Sequence, residues 1–271
     1  MKARRPGNVA CPAARNHPVK TAWPLPHAFG RLRGVSQPYR RDNLLDRASH
    51  PETLEVHYER ERLRERELLD RRLGLTGGEV LSVGCGWHPG RHLFPKPAWR
   101  MTGVEIDEAV VGALVGAGDL DEGLAGRGGE LPLPDDSFDV VLYRLVLHHI
   151  AWQEPLGACF EEARRLLRPG GALVAIEPGS WHPVGAGLAA ANRLGMGPLV
   201  HGTPDDVPLS PRRLTAEARK AGLQPELHAV TYGWRRLPRR AQRAIHALDP
   251  YGSRPLLAPL GHTLMLIARS R

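Results

Sequence analysis

The stretch VLSVGCGWHPG, at residues 80–90, joins an apolar run to a turn with glycines at positions 84, 86 and 90. A glycine turn behind a strand lets a ligand approach the backbone closely. Glu105 ends a second apolar run, WRMTGVEI, and a carboxylate there can accept hydrogen bonds from both hydroxyls of a ribose. These residues predict a site for a nucleoside-containing ligand. They leave its identity open, because nicotinamide-dependent enzymes use the same turn and the same acid.

The elements that must hold this site alternate between strand-like and helix-like patterns. Strand-like runs are EVLSVG, WRMTGVEI, FDVVLYRLV, ALVAIEP, ELHAVTYGW and HTLMLIA, with a weaker one at residues 123–126. Helical patterns occupy DEAVVGALVGAG, EPLGACFEEARRLLR and SPRRLTAEARKAG, and we expect a short helix, broken by prolines, at RHLFPKPAW. This order predicts a parallel sheet covered by helices on both faces. In such a sheet ligands bind at the carboxyl ends of the strands, where the glycine turn and Glu105 lie.

The chain before the first strand divides into two predicted parts. Residues 1–47 carry ten Lys or Arg and two Asp without sustained periodicity, which predicts a basic, flexible arm. Residues 48–78 are predicted to form a helical cap. Leu54, Tyr58, Leu69 and Leu73 share one face of it, while Arg and Glu fill its middle turns. We therefore expect this helix to cover another element only at its ends.

The formal net charge of +8 resides in the arm, since the rest of the chain carries 27 basic and 27 acidic side chains. A body without net positive charge argues against nucleic acid as a partner. Residues 201–271 hold twelve Lys or Arg and five acids. Solvated helix faces explain this local excess more simply than an anionic substrate does.

Cysteine usage and hydropathy bear on the compartment. Cys11, Cys85 and Cys159 show no CxxC spacing, which is typical of a reducing compartment. No apolar run approaches the roughly 18 residues of a membrane span, and no apolar stretch follows the charged start. We predict a cytoplasmic protein without a membrane span.

Other site chemistries are less well supported by the residue pattern. His88 and His92 are four residues apart, but Pro89 and Gly90 break the helix that would aim both at one metal ion, so no metal is expected. Cys85, between two glycines, is explained by the need for a small residue in a tight turn rather than by nucleophilic chemistry.

Four segments taken together resemble a known family. VLSVGCG, GVEI, ELPLPDDSFDVVLYRLVLHHI and EEARRLLRPGGALVAIEP resemble the successive motifs of class I S-adenosylmethionine-dependent methyltransferases, especially the small-molecule branch that includes quinone methyltransferases. The resemblance implies an α/β, Rossmann-like, seven-stranded and mostly parallel sheet with helices on both faces and an antiparallel last strand, over residues 79–271. It also implies S-adenosyl-L-methionine as cofactor and a small organic acceptor methylated at oxygen, nitrogen or carbon.

The resemblance further implies which residues meet the cofactor and the acceptor. The implied cofactor-binding positions are Ser82, Gly84, Cys85, Gly86, Glu105, Ile106, Leu131 and Tyr143. His149 is the candidate base for a hydroxyl acceptor, and Tyr143 is the second catalytic candidate. His148, Trp181 and His182 are the candidates for the acceptor pocket. Ordinary loop packing is an equally good explanation of the pocket candidates.

The sequence also departs from the family pattern. Ser82 stands where members usually carry an acid, and residues 87–89 separate the second glycine from the third. Arg127 stands where an Asp commonly contacts the adenine amino group, and a guanidinium can only donate. Each lost contact costs about 1–3 kcal/mol where the group is buried. Two other hypotheses therefore stay open: a nicotinamide-dependent oxidoreductase, and a catalytically silent protein of the same fold that serves as a partner subunit.

Overall fold

The computed structural model describes residues 43–47, 51–203 and 206–271. The helices are α1 Leu44–Arg47, α2 Pro51–Arg72, α3 Glu108–Ala117, α4 Leu147–Gln153, α5 Gly157–Leu166, α6 Pro183–Arg193, α7 Gly197–Val200, α8 Pro211–Lys220 and α9 Arg239–His246, with 3-10 turns at Asp249–Tyr251 and Ala258–Leu260. The strands are β1 Gly78–Val83, β2 Trp99–Glu105, β3 Glu122–Ala125, β4 Phe138–Arg144, β5 Leu167–Pro178, β6 Gln224–Thr231 and β7 Thr263–Arg269. The predicted arm lies outside the described residues except for positions 43–47.

The seven strands form one sheet in the order β3-β2-β1-β4-β5-β7-β6. The β1–β2, β1–β4, β2–β3 and β4–β5 pairs are parallel, while β7 is antiparallel to both of its neighbours. The predicted fold class is therefore confirmed, including the inserted antiparallel last strand. The edge at which the parallel strands end is called the carboxyl edge below.

Apolar side chains fill both faces of the sheet, which explains why the strands read as continuous apolar runs. One face packs against α5 and α8 through residues such as Phe160 and Leu214. The other face packs against α2 and α3 through residues such as Leu69 and Leu114. Within the described ranges, none of the helices combines the length and the hydropathy needed to cross a bilayer.

The connection between β1 and β2 has no helix, so the helix predicted at RHLFPKPAW is wrong. The prolines of this stretch remove backbone donors that a helix would need. Arg91 replaces the helical hydrogen bonds, because its guanidinium donates to the carbonyls of Asp119, Phe94 and Trp99 and pairs with Asp121 at 2.7 Å. A single side chain thus holds an irregular connection in place.

The middle of α2 is buried, contrary to the expectation that this helix covers another element only at its ends. Glu61 and Glu65 lie on its inner face and are almost inaccessible to solvent. Glu65 accepts hydrogen bonds from Arg144 at 3.1 Å and lies 2.9 Å from Nε2 of His92. Buried acids are stable when such partners neutralise them, which hydrophobic periodicity alone does not predict.

Candidate active site

Glu105 and the glycine turn meet at the carboxyl edge. The backbone N–H of Gly86 donates to Oε2 of Glu105 at 2.9 Å, and the N–H of Ile106 donates to Oε1 at 2.8 Å. Each carboxylate oxygen keeps a further lone pair, so both can still accept a hydrogen bond from a ligand. The half-buried carboxylate is therefore preorganised beside the turn rather than pointing away from it.

The three glycines of the turn have different roles. A Cβ at Gly84, where φ is +62°, would lie 2.3 Å from Val146, and one at Gly90, where φ is +84°, would lie 2.6 Å from Leu142. These two glycines allow close packing. At Gly86, with φ +46°, no described atom beyond its chain neighbours lies within 4 Å of that position. The open space is thus over Gly86, where a ligand that contacts Glu105 would lie.

The other turn residues line or support this space. Ser82 is buried in β1 between Gly103 and Leu142. Cys85 is buried too, and burial together with the nearby Glu105 raises the pKa of its thiol to about 12, which keeps it protonated and unreactive. Trp87 is 44% exposed and lines an adjacent groove, so its ring does not fill the core beneath the turn.

Two further predicted cofactor positions flank the site. Ile106 follows Glu105 and is 46% exposed. Leu131 is buried, and its N–H donates to Oε1 of Glu162 at 2.8 Å, while Arg165 donates to its carbonyl at 3.1 Å. Arg127, the residue that departs from the family pattern, is exposed.

Tyr143 lies in the core on the α5 face of the sheet. Its hydroxyl donates to the carbonyl of Cys159 at 3.0 Å, and burial raises its pKa well above the ordinary value. The structure does not bring this hydroxyl together with Glu105 and Gly86. The roles of Tyr143 in cofactor binding and catalysis thus stay predictions from the sequence.

Glu177, at the end of β5, organises the first turn of α4. Its buried Oε1 accepts the N–H groups of Val146 at 3.0 Å and Leu147 at 2.8 Å, and its Oε2 lies 2.6 Å from Nδ1 of His148. A carboxylate at a helix N-terminus satisfies donors that lack helical partners and interacts favourably with the helix dipole. Glu177 was not predicted from the sequence, although an acid at the end of a buried strand at the carboxyl edge is the same signal that indicated Glu105.

His148 continues into a chain of polar side chains. Its Nε2 lies 3.5 Å from Asp206, whose other oxygen lies 3.9 Å from His201. Burial raises the pKa of Asp206, but the nearby His148, His149 and His201 outweigh this effect and lower it. The ring of half-buried His149 lies against that of His148, with centroids 4.1 Å apart. The structure thus brings both predicted histidines together at the end of β4.

Trp181 and His182 follow β5 at the same edge. Trp181 is 39% exposed, with the guanidinium of Arg212 5.1 Å from its ring centroid. His182 caps α6, since its Nδ1 accepts the N–H of Val184 at 3.3 Å while Nε2 lies 3.2 Å from the carbonyl of Tyr232. Burial lowers the pKa of His182, so the neutral tautomer with hydrogen on Nε2 satisfies both contacts.

Comparison with known proteins agrees with this geometry. A family model described as a methyltransferase domain matches residues 81–175. A probable S-adenosylmethionine-dependent methyltransferase of Mycolicibacterium smegmatis is 35% identical over 119 residues, which cover 42% of this chain and 44% of the relative. A demethylmenaquinone methyltransferase of Tropheryma whipplei is 31% identical over 108 residues, which cover 39% of this chain and 44% of the relative. The chain therefore matches less than half the length of these curated relatives.

A solved structure extends the likeness to most of the chain. Geranyl diphosphate C-methyltransferase from Streptomyces coelicolor, in complex with S-adenosyl-L-homocysteine, matches with a TM-score of 0.54 and 17% identity over 87% of this chain and 90% of that one. At this identity the likeness shows the fold alone. These comparisons show that residues 81–175 resemble a methyltransferase domain and that most of the chain shares its fold with a solved methyltransferase.

Proposed function

We propose that the protein is an S-adenosylmethionine-dependent methyltransferase that acts on a small organic acceptor. The main support for this proposal is the hydrogen bond from the N–H of Gly86 to Glu105. It holds a carboxylate that can bind the two ribose hydroxyls beside the unfilled space over Gly86. Glu105 would hold the ribose, and Gly86 would leave room for the amino-acid part of the cofactor. When bound, the cofactor supplies a methyl group on a sulfonium for in-line displacement.

The chain's own part in the reaction is to position the acceptor and to take its proton. We assign proton removal from a hydroxyl acceptor to His149. His148 has a carboxylate at each ring nitrogen, so it suits the task of holding the neighbouring imidazole in place. His149→Gln tests this assignment with an acceptor whose hydroxyl must be deprotonated. We expect the variant to lose the pH-dependent part of the rate profile. An unchanged profile would remove this assignment.

An apolar acceptor fits the surroundings of these histidines. Trp181 presents a partly exposed aromatic face at the same edge, which suits a planar or hydrocarbon substrate. The T. whipplei relative is named for a quinone substrate, demethylmenaquinone, which supports this class of acceptor. A cytoplasmic location belongs to the proposal as well, since Cys85 and Cys159 are both buried free thiols.

Replacement of Glu105 tests the proposal directly. Glu105→Ala removes two charge-assisted hydrogen bonds to the ribose, each worth about 1.5–3 kcal/mol, so S-adenosyl-L-methionine should bind at least about a hundredfold more weakly by calorimetry. Glu108→Ala is the matched control, because Glu108 is an exposed acid in the first turn of α3. Equal affinity in Glu105→Ala and the wild type would contradict the proposal.

The silent-partner hypothesis is favoured by two departures from the family pattern, the neutral Ser82 in place of an acid and Arg127 in place of an Asp. It predicts that the protein binds the cofactor without transferring the methyl group. Incubation with methyl-labelled cofactor and a set of quinols and phenols separates the two hypotheses. Label in any acceptor eliminates the silent-partner hypothesis.

A further inference from the structure

A surface of basic and apolar side chains lies outside the candidate active site, in the connection between β6 and β7. This connection starts at the carboxyl edge and returns to it, because β6 ends and β7 begins there. Its exposed cations are Arg239, Arg240, Arg243 and Arg254, and its most exposed apolar residues are Leu248, Tyr251, Leu256 and Leu260. We call these eight residues the Arg–Leu surface.

The charge of this surface has one sign. Residues 234–261 contain six arginines and a single acid, Asp249. Asp249 is fully buried, where it accepts the N–H of Tyr232 at 3.0 Å and lies 2.9 Å from Nδ1 of His246. The only acid of the segment is thus turned inward, and the solvent-facing side chains are cationic or apolar.

Hydrogen bonds from α2 hold the backbone at the end of α9, next to the exposed Leu248. Arg60 donates to the carbonyl of His246 at 3.3 Å, and Arg64 donates to the carbonyl of Asp249 at 2.8 Å, so α2 braces the end of α9. Leu256 is 88% exposed and Leu248 is 49% exposed on this braced segment. Exposed leucines on an ordered surface mark a contact site more strongly than leucines on a free tail.

The surface continues onto the outer side of α2. Leu63, which is 61% exposed, lines one depression together with Pro250 and Arg60. Glu67 also lines it, held in ion pairs with Arg64 and Arg71. At the other end, the guanidinium of Arg254 lies 4.6 Å from the ring centroid of Tyr251. Arginines interleaved with leucine and an aromatic ring are typical of a surface that lies in the headgroup region of a bilayer.

We propose that the Arg–Leu surface docks on an anionic phospholipid bilayer. Arginines would pair with lipid phosphates, and Leu256 with Leu248 would enter the acyl boundary. A second copy of this surface is disfavoured by like charge, and residues 1–47 are disfavoured as its cover because they carry eight excess positive charges. A nucleic acid would match the arginines but would leave the leucines without a partner.

Vesicle co-sedimentation of the full-length protein tests this proposal without any enzymatic readout. We expect binding to vesicles of phosphatidylcholine and phosphatidylglycerol and little binding to phosphatidylcholine alone. Arg239→Glu/Arg240→Glu/Arg243→Glu should weaken that binding about a hundredfold or more, at roughly a factor of five per lost arginine. The matched control, Arg219→Glu/Lys220→Glu/Arg271→Glu, makes the same charge change at exposed residues near the opposite edge of the sheet and should bind nearly as the wild type does.

A second variant separates docking from general attraction by the basic arm. Leu256→Asn removes an almost fully exposed side chain, so it should fold normally by circular dichroism yet bind anionic vesicles several-fold more weakly. Equal losses in the two triple variants, or unchanged binding of Leu256→Asn, would overturn the proposal. The proposal would also be overturned if the protein bound a DNA or RNA duplex through the same arginines and did not bind anionic vesicles. Because lipid is measured directly, this result does not depend on whether the protein transfers methyl groups.

Discussion

Glu61 and Glu65 lie on the same buried face of α2, but the pKa values of their carboxyl groups are shifted in opposite directions. Burial and the nearby Glu65 raise the pKa of Glu61 to about 7, although a hydrogen bond from Thr263 acts in the other direction. Burial also raises the pKa of Glu65, but Arg144 and His92 outweigh it, so the pKa of Glu65 is lowered. Glu65 is therefore the ionised partner of Arg144, while Glu61 gains its charge only near neutral pH.

This difference predicts a pH-dependent stability. The folded protein keeps the proton of Glu61 up to a pH of about 7, whereas the unfolded chain loses it near the ordinary glutamate pKa of 4.5. Stability contributed by this group is therefore present below about 4.5 and is lost as the pH rises to about 7. Glu61→Gln should become more stable relative to the wild type over that window, by about 1–3 kcal/mol, and the difference should then stay constant.

Urea unfolding at several pH values between 4.5 and 8 measures this difference. His57 gives the opposite slope, because burial lowers its pKa to about 4, but it is present in both proteins and largely cancels. Glu59→Gln is the matched control, since Glu59 is an exposed acid on the same helix, and its difference from the wild type should not vary with pH. A pH-independent difference for Glu61→Gln as well would mean that Glu61 is ionised in the fold throughout.

At the scale of elements, α4 depends on a side chain from outside the helix. Its N-terminal residue Val146 makes no side-chain cap, and Leu145, with φ +57°, turns the chain from β4 into the helix. Glu177 supplies the missing acceptor from the next strand. The arrangement ties the position of the two histidines to the end of β5.

Substitutions at Glu177 should separate its charge from its hydrogen bonds. Glu177→Ala leaves buried N–H groups and His148 without their acceptor and should cost about 3–5 kcal/mol of unfolding free energy. Glu177→Gln keeps one acceptor oxygen and should cost about 1.5–3 kcal/mol. Denaturant unfolding measures both, with exposed Glu154 at the other end of α4 replaced by Ala as the control. Equal costs for the Ala and Gln variants would show that only the charge of Glu177 matters.

The strands were predictable from sequence, whereas several connections were not. Buried parallel strands need apolar side chains on both faces, so runs such as FDVVLYRLV indicate β4 unambiguously. The β1–β2 connection depends on Arg91 reaching the carbonyls of Phe94, Trp99 and the distant Asp119, a combination that no local pattern reveals. The buried face of α2 has His57, Glu61 and Glu65 at four-residue intervals. That spacing places the three side chains on one face of the helix. It was not taken as a buried face because polar residues are ordinarily expected to face solvent.

At the scale of the whole molecule, the sequence predicted some residues of the candidate site and not others. Glu105 and Gly86 were predicted because Glu105 ends a recognisable strand and Gly86 lies in the glycine turn that follows another. Glu177, Asp206 and His201 join His148 only through the packing of β5, α4 and the chain after α7. Their sequence separation exceeds any local window, so tertiary structure alone brings them together.

Strand order also favours S-adenosyl-L-methionine over a nicotinamide cofactor, the two nucleoside ligands that the sequence left open. A dinucleotide fold continues its parallel strands beyond β4 and β5 and places its second nucleotide at their carboxyl ends. Here β7 runs antiparallel between β5 and β6, and the buried carboxylate of Glu177 with the first turn of α4 occupies the ends of β4 and β5. A negative charge at this point disfavours a pyrophosphate-linked second nucleotide.

Calorimetric titration of the full chain should therefore detect S-adenosyl-L-methionine and S-adenosyl-L-homocysteine, and NADPH should give no heat. Heat from NADPH alone, abolished in Glu105→Ala, would instead assign the same carboxylate to a nicotinamide cofactor.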